Sequence, residues 1–230
     1  MPQITTLSFC RYPNLKGIHW ALSQMEYAKK PLRNTPGLQF FKLMGCGRGE
    51  GFNPWPDWSA YCILLIWDSE EAAEAFFEQS SKWSEFRERT LEIWTLWLGC
   101  VRSNGQWSGR SPFETLEYSA RPEHTAVITR ATIKLRHLRR FWKYVPESQR
   151  NLSEAPGLVF SAGIGEVPIV QMATFSIWKT EEAMKYFAYR NREHKKAIDL
   201  TREVGWYREE LFARFAVLND TGTWKNTSLA

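Results

Sequence analysis

The chain has 230 residues, and its 30 basic and 25 acidic residues give a net charge of +5. The two signs are well mixed along the chain, so this charge does not indicate nucleic-acid binding. The longest apolar run, Ala60 to Trp67, is far shorter than the roughly 20 residues that cross a bilayer. The first residues carry no charged segment followed by an apolar core. We therefore expect a cytoplasmic protein, for which a peripheral position on the inner membrane stays open.

Aromatic residues make up 15% of the chain and include 12 tryptophans. Such a load is typical of a deep core, of a pocket for a flat or long apolar ligand, or of both. All four cysteines lie in the first half, and none forms a C-x-x-C pair. Reduced thiols are the simplest expectation for them.

Strand-like and helix-like segments follow each other in the same order twice. In the first half we predict elements at Thr5–Arg11, Leu15–Lys29 (helix), Leu38–Met44, Trp58–Trp67, Ser69–Thr90 (helix, broken near Ser80) and Trp94–Arg102. In the second half the corresponding elements are Val127–Ile133, Leu138–Val145 (helix), Leu158–Ile164, Ile169–Trp178, Thr180–Val204 (helix) and Glu210–Leu218. Each half thus reads β-α-β-β-α-β, which is the ferredoxin-like pattern. In the first helix we expect Leu15, Ile18, Leu22 and Met25 to face the core.

Matching landmarks at matching spacings indicate that the halves are copies of one unit. The pairs are Pro36-Gly37-Leu38 with Pro156-Gly157-Leu158, Trp67 with Trp178, Ser69-Glu-Glu-Ala72 with Thr180-Glu-Glu-Ala183, and Gly105-x-Trp107 with Gly222-x-Trp224. We predict an α+β fold in which two tandem ferredoxin-like repeats form a fused dimeric α+β barrel. The first repeat would span 1–107, the connection 108–125 and the second repeat 126–230. Helices would lie outside and a cavity between the sheets, and further oligomerisation stays open.

His194 is the main candidate for a metal ligand. Sixteen residues after Trp67 the first copy has Trp83, whereas sixteen residues after Trp178 the second copy has His194. The next position on the same helix face holds Phe86 in one copy and Ala197 in the other, and Ile198 continues this face. The exchange removes volume and adds an imidazole, as a site for a flat metal cofactor requires. A core histidine bonded to a carbonyl is the alternative.

The other histidines are weaker candidates, with His19 as the second choice. The sequence has no H-x-x-x-H or H-E-x-x-H spacing, so a zinc or non-haem iron site is poorly supported. A single histidine is compatible with haem, because the porphyrin supplies four ligands itself.

The segment Gly45–Gly51 alternates glycine with other residues, as phosphate-binding loops do. It lacks the Lys-Ser/Thr ending and leads into Phe52-Asn-Pro-Trp55-Pro rather than into a helix. We interpret it as a long hairpin loop that is either solvated or a lid over the barrel, with Phe52 and Trp55 facing an apolar substrate.

Basic residues at two kinds of position are candidates for binding anions. Arg48, Arg110, Arg130 and Arg214 are expected at strand ends or in loops, where a guanidinium could pair with a cofactor carboxylate. A separate basic cluster consists of Arg136, His137, Arg139, Arg140 and Lys143. This cluster is either a solvated helix face or a docking patch for an anionic partner or a lipid headgroup.

Several of these stretches resemble the spheroidene monooxygenases, bacterial enzymes that oxidise carotenoids. The resemblance extends from about Phe40 to Trp224 and is less clear in the first 35 residues. It is carried by Phe40–Trp58, Trp107–Phe113, Thr129–Ile133, Gly163–Pro168, Phe175–Trp178, His194–Ile198, Gly205-Trp206 and Glu210–Phe215.

The resemblance implies a haem-dependent monooxygenase that introduces a keto group at C2 of an acyclic carotenoid such as spheroidene. It implies haem b as the cofactor, His194 as its axial ligand, O2 as the oxidant and a reduced ferredoxin as the electron donor. Two other classes stay open: a haem or carotenoid carrier without activity, and a cofactor-free monooxygenase of the same barrel type.

Overall fold

The computed structural model describes residues 2–49, 53–117, 122–148, 152, 154–190, 204–225 and 227–229, with the side chains of 144–148 and 189–190 excepted. The strands of these residues are β1 Ile4–Arg11, β2 Leu38–Gly47, β3 Pro56–Trp67, β4 Glu92–Gly105, β5 Thr125–Ile133, β6 Leu158–Val167, β7 Gln171–Trp178 and β8 Tyr207–Gly222. The helices are α1 Leu15–Tyr27, α2 Lys29–Arg33, α3 Glu70–Gln79, α4 Ser81–Arg89, α5 Leu138–Ser148 and α6 Glu181–Arg190, with a 3-10 turn at Leu135–His137.

The described strands close into one antiparallel barrel in the order β1-β3-β2-β6-β7-β5-β8-β4. Each half contributes four neighbouring strands, and the halves meet where β2 pairs with β6 and β4 pairs with β8. The predicted α+β barrel is therefore present. The division at 1–107, 108–125 and 126–230 stays a prediction.

Polar caps fix the starts of the helices outside the barrel. The hydroxyl of Ser69 accepts a hydrogen bond from the Ala72 backbone N–H at 3.2 Å, and Thr180 does the same for Ala183 at 3.1 Å. The side chain of Ser80 caps α4 in the same way, which confirms the predicted break between α3 and α4.

Side chains fill the middle of the barrel. Inward-facing residues of all the described strands form one buried cluster, in which Phe9, Trp94, Phe175 and Phe215 are completely buried. A cavity of about 280 Å³ lies at one barrel end, where Phe9, Phe160 and Trp224 line it. We call this space the mouth cavity.

The predicted core face of α1 is wrong in part. Leu15 is 83% exposed and Leu22 is 49% exposed, whereas Ala21 and Gln24 are buried. The helix carries apolar residues on more than one side, so the spacing alone did not identify the face that packs on the sheet.

None of the helices in the described ranges is long and apolar enough to cross a membrane.

Candidate functional site

The outer surface of the second-half sheet carries two rows of side chains that run across all four strands. One row consists of Arg214 on β8, Val127 on β5, Ser176 on β7 and Ser161 on β6. The adjacent row consists of Phe212, Thr129, Thr174 and Gly163. These positions share one face because successive side chains in a strand point to opposite sides of the sheet.

The corresponding rows of the first half carry much larger side chains. The pairs Phe41–Leu65 and Leu43–Ile63 occupy the strand positions that Ser161–Ser176 and Gly163–Thr174 occupy in the second half. The equivalence is set by the strand register, since Leu38 pairs with Trp67 and Leu158 with Trp178, with a register shift after each. All four first-half side chains pack in the apolar cluster beneath the helices. The second half thus lacks four large apolar side chains on an otherwise matching sheet.

We call Ser161, Gly163, Thr174 and Ser176 the small-residue face. Ser161 is 6% exposed, and its buried hydroxyl has no hydrogen-bond partner in the part of the chain that the structure describes. A buried hydroxyl without a partner costs free energy, about 1–3 kcal/mol. The face therefore combines side chains smaller than those of the first half with a buried hydroxyl that has no partner among the described residues.

Arg214 lies on this same sheet surface. It replaces Trp97 of the first half, and it pairs with Glu181 in the first turn of α6. Beside it Phe212 is 36% exposed and Thr129 is exposed. Arg214 is inside strand β8 and not at a strand end as expected, since β8 runs to Gly222.

His194, Ala197 and Ile198 lie outside the described residues. The described chain reaches Arg190 at the end of α6 and resumes at Val204, just before β8. These three residues stay predictions.

Arg130 lies at the barrel end opposite the mouth cavity, in the interior of β5 and not at a strand end. Its side chain is 2% exposed and pairs with Glu209 on β8 and with Glu166 on β6, the latter at 3.5 Å. Glu166 also accepts hydrogen bonds from Lys42 Nζ at 2.5 Å and from Trp107 Nε1 at 2.6 Å. Two cations and two carboxylates thus balance each other in a cluster that we call the inner ion cluster.

Glu209 also fastens the segment that follows β4. Its carboxylate accepts hydrogen bonds from the backbone N–H groups of Ser108 at 3.0 Å and Gly109 at 2.7 Å. Burial alone would raise the pKa of Glu209, but these two N–H groups and Arg130 outweigh it and leave the pKa below its ordinary value. The carboxylate is held in its charged form.

The remaining predicted residues lie apart from the small-residue face and from the inner ion cluster. Arg48 is exposed in the β2–β3 loop, where its Nε donates to the Pro56 carbonyl at 3.2 Å. Trp55 is 70% exposed in the same loop, and Phe52 lies outside the described residues. Arg110 is exposed in the turn that pairs with Trp107. The glycine segment is half strand, because β2 continues through Gly47.

The mouth cavity is lined by both polar and aromatic groups. Trp224 packs on Phe9 with ring centroids 5.5 Å apart, and the guanidinium of Arg11 lies 4.5 Å from the Trp224 ring centroid. Asp57 and Lys225 also line the space. Within the described ranges, no cluster of three or more His, Cys, Asp or Glu side chains is arranged to hold a metal ion.

Relatives of known name cover almost the whole chain. The chain is 36% identical over 223 residues to a spheroidene monooxygenase of Rhodobacter capsulatus, covering 96% of this chain and 92% of that protein. It is 35% identical to a spheroidene monooxygenase of Cereibacter sphaeroides, covering 97% of this chain and 69% of that protein. The chain belongs to the spheroidene monooxygenase family.

Solved structures support the barrel fold of this family member. The structure of an aldoxime dehydratase in complex with butyraldoxime matches with a TM-score of 0.61 at 8% identity, covering 94% of this chain and 79% of that chain. At this identity the likeness concerns the fold alone. No protein-family model matches the chain.

Two features of this spheroidene monooxygenase homologue escaped the sequence analysis. The small-residue face could have been found in the sequence, since an alignment of the two halves on their Pro-Gly-Leu landmarks matches Leu43 with Gly163. Glu166 and Glu209 gave no such signal, because a single carboxylate in a strand does not reveal which cation it meets across the barrel.

Proposed function

We propose that this protein is a haem-dependent monooxygenase that introduces a keto group at C2 of an acyclic carotenoid such as spheroidene. It would use O2 and electrons from a reduced ferredoxin. Membership of the spheroidene monooxygenase family supports the reaction class and the substrate class. The observation that supports a bound cofactor is the small-residue face, because the matching strands of the first half have large apolar side chains there.

We infer that a flat cofactor lies against this sheet surface. The large side chains that Phe41, Leu43 and their partners supply in the first half are replaced here by serine, glycine and threonine. The unpartnered hydroxyl of Ser161 is a polar group that a ligand could satisfy. When bound, haem would supply oxygen activation, and His194, which follows α6 in the sequence, is the residue that we propose would hold it.

Of the four candidate arginines we favour Arg214 as the partner of a cofactor carboxylate. It lies in the same row as Ser161 and Ser176, and its side chain is 16% exposed. Arg130 already balances two carboxylates inside the barrel, and Arg48 and Arg110 lie in exposed turns. A guanidinium at the sheet surface can form a bidentate pair with a carboxylate while still contacting Glu181.

A long polyene exceeds the mouth cavity. Pockets that enclose a drug-sized molecule measure roughly 300–1,000 Å³, whereas the mouth cavity measures about 280 Å³. We therefore assign the reacting end of the carotenoid to the cofactor side of the sheet, where Phe212 offers apolar surface. Phe52 and Trp55 stay candidates for contacts with the rest of the chain.

We also infer that the barrel is a fusion of two ferredoxin-like repeats. The order of strands within each half-sheet is the same, and the register shifts after Leu38 and Leu158 correspond. One copy would then have kept its apolar cover, and the other would have exchanged it for a cofactor.

The test compares haem content and fold in matched variants. His194→Ala should lose haem in a pyridine haemochrome assay while keeping the far-UV circular dichroism of the parent. His19→Ala, which changes an exposed histidine on α1, should keep about one haem per chain. Full haem content with an unchanged Soret band in His194→Ala would refute the ligand assignment.

A second pair of variants tests the face itself. Ser161→Phe with Ser176→Leu restores the side chains of the first half and should lower hemin uptake at least about ten-fold, because the room for a flat group is filled. The control Arg102→Phe adds an aromatic ring at an exposed position of β4 in the first half. Equal hemin uptake by the refilled variant and the parent would move the cofactor elsewhere.

A further inference from the structure

Three structural elements meet at the outer edge of the barrel end that holds the inner ion cluster. The last residue of β5, Ile133, donates its backbone N–H to the Val170 carbonyl at 2.9 Å in the turn between β6 and β7. The chain then forms the 3-10 turn at Leu135–His137 and enters α5. Trp142 on α5 returns to the same hairpin, where its Nε1 donates to the Ile169 carbonyl at 3.1 Å. The turn, the helix and the hairpin are thus one continuous surface.

This surface carries a dense positive charge. The segment from Lys134 to Lys143 has five Lys or Arg residues and no acidic residue. Among them Arg136, Arg139, Arg140 and Lys143 are exposed, and none pairs with a carboxylate of the described residues. Desolvation together with Arg136, Lys134 and Arg140 lowers the pKa of His137, whose Nε2 accepts from Arg136 Nε at 3.1 Å.

Aliphatic side chains project beside these charges. Leu135 is 72% exposed in the 3-10 turn, Val167 is 46% exposed and Ile169 is 42% exposed in the hairpin. Ile169 has a φ of 72°, a conformation that β-branched residues rarely adopt. The inner side of α5 is by contrast packed in the core, since Phe141 lies against Trp206 with ring centroids 5.7 Å apart. The exposed aliphatic residues are therefore not part of the core.

We propose that this barrel end docks on an anionic lipid surface, with Leu135 and Ile169 entering the headgroup layer and the arginines of α5 lying on the phosphates. Aliphatic tips flanked by Arg and Lys are the pattern of interfacial binding, in which apolar insertion and attraction to anionic lipids add. The apolar residues sit on a turn and on a hairpin tip, which are protruding features that suit a deformable lipid layer. This positive charge, which no described carboxylate pairs with, complements a surface of uniform negative charge.

The experiment is co-sedimentation of the full chain with vesicles of phosphatidylcholine alone or with 30% phosphatidylglycerol, at about 50 and 500 mM salt. We expect binding to the anionic vesicles at low salt and at least a ten-fold weaker partition at high salt, because exposed charges are screened. Arg139→Glu with Arg140→Glu should weaken the partition at least about ten-fold. The control Arg33→Glu with Arg87→Glu makes the same change of net charge on exposed positions of the first half and should bind like the parent.

Ile169→Gly separates docking from folding. Glycine accepts a positive φ freely, so this variant should keep or raise the melting temperature while its partition into anionic vesicles falls about five-fold, through loss of apolar insertion. Leu91→Ser removes another exposed leucine, 68% exposed and near the opposite barrel end, and should leave the partition unchanged. Equal binding to both kinds of vesicle, or equal losses in the two double variants, would overturn the proposal. Absence of vesicle binding would also overturn it. If the Arg139 and Arg140 variants then bound an acidic electron-donor protein more weakly than the parent does, the surface would be a docking site for that protein instead.

Discussion

Replacing Arg130 by Met tests whether the inner ion cluster stabilises the fold. The side chain of Arg130 is 2% exposed, and its two partners Glu166 and Glu209 are each 19% exposed. Removing one member of a buried ion pair typically costs about 3–5 kcal/mol, because the remaining charge stays buried without its partner. Here Glu166 keeps Lys42, and Glu209 keeps two backbone N–H donors. We therefore expect a loss near the lower limit, about 3 kcal/mol.

Urea unfolding at pH 7, followed by circular dichroism, measures this loss directly. For a chain of this length about 3 kcal/mol corresponds to a fall in melting temperature of about 6–12 °C. Arg102→Met is the matched control, since Arg102 is exposed on β4, and it should change stability by less than about 0.5 kcal/mol. Adding Glu209→Gln to Arg130→Met should restore part of the stability, because the uncompensated carboxylate is gone.

The pH dependence of the same variant has a defined sign. The pKa of Glu209 is lowered in the folded protein, so its charged form contributes stability above the ordinary glutamate pKa, and this contribution is lost as pH falls through the folded value. Without Arg130 the carboxylate can protonate more readily, and the gap between variant and parent should narrow from pH 7 to about pH 4. A variant as stable as the parent at pH 7 but deficient in haem would refute this reasoning and return Arg130 to the cofactor site.

Three further outcomes are expected. Gly37→Ala should destabilise by more than about 2 kcal/mol in urea unfolding, because its φ of 75° disfavours a side chain and the new methyl group would collide with α3; Gly49→Ala, with a similar φ but open space around it, should cost about 1 kcal/mol. Burial raises the pKa of each of the four cysteine thiols, so a thiol reagent at pH 8 should label the native protein slowly and all four after denaturation; rapid native labelling would contradict this burial. Arg214→Gln should weaken hemin binding about ten-fold in a Soret titration with little loss of stability, whereas Arg208→Gln on an exposed position of the same strand should leave it unchanged.

Much of the backbone could be predicted because local signals and the global pattern agree. Several predicted boundaries are observed. These are the helix caps Ser69 and Thr180, the tryptophans that end β3 and β7, and the break at Ser80. The face of α1 could not be predicted in the same way, since Leu15 and Leu22 fit an apolar stripe yet remain exposed. Their position depends on how the helix lies on β3, which is a tertiary contact without a local signature.

The arginines show where sequence reasoning ends. Arg48, Arg110, Arg130 and Arg214 were equivalent candidates by residue type, yet the structure separates them by position. Arg130 points into the barrel and Arg214 out of it, because they occupy opposite alternating positions on neighbouring strands. The strand register sets Arg130 near Glu209 inside the barrel and Arg214 beside the small-residue face, and this register is not written in the residue type of either arginine.

The difference between the two half-sheets is the physical argument for the cofactor position that we propose. Their strands pair in the same order and the register shifts after Leu38 and Leu158 correspond, so the backbones beneath these two outer surfaces are alike. A surface that needed only to be covered would favour large apolar side chains in both halves, as Phe41 and Leu43 provide in the first. Serine, glycine and threonine at the matching positions bury less apolar surface. Giving up apolar burial in one half alone is expected where another group covers the sheet, and this is the physical basis for the cofactor position that we propose.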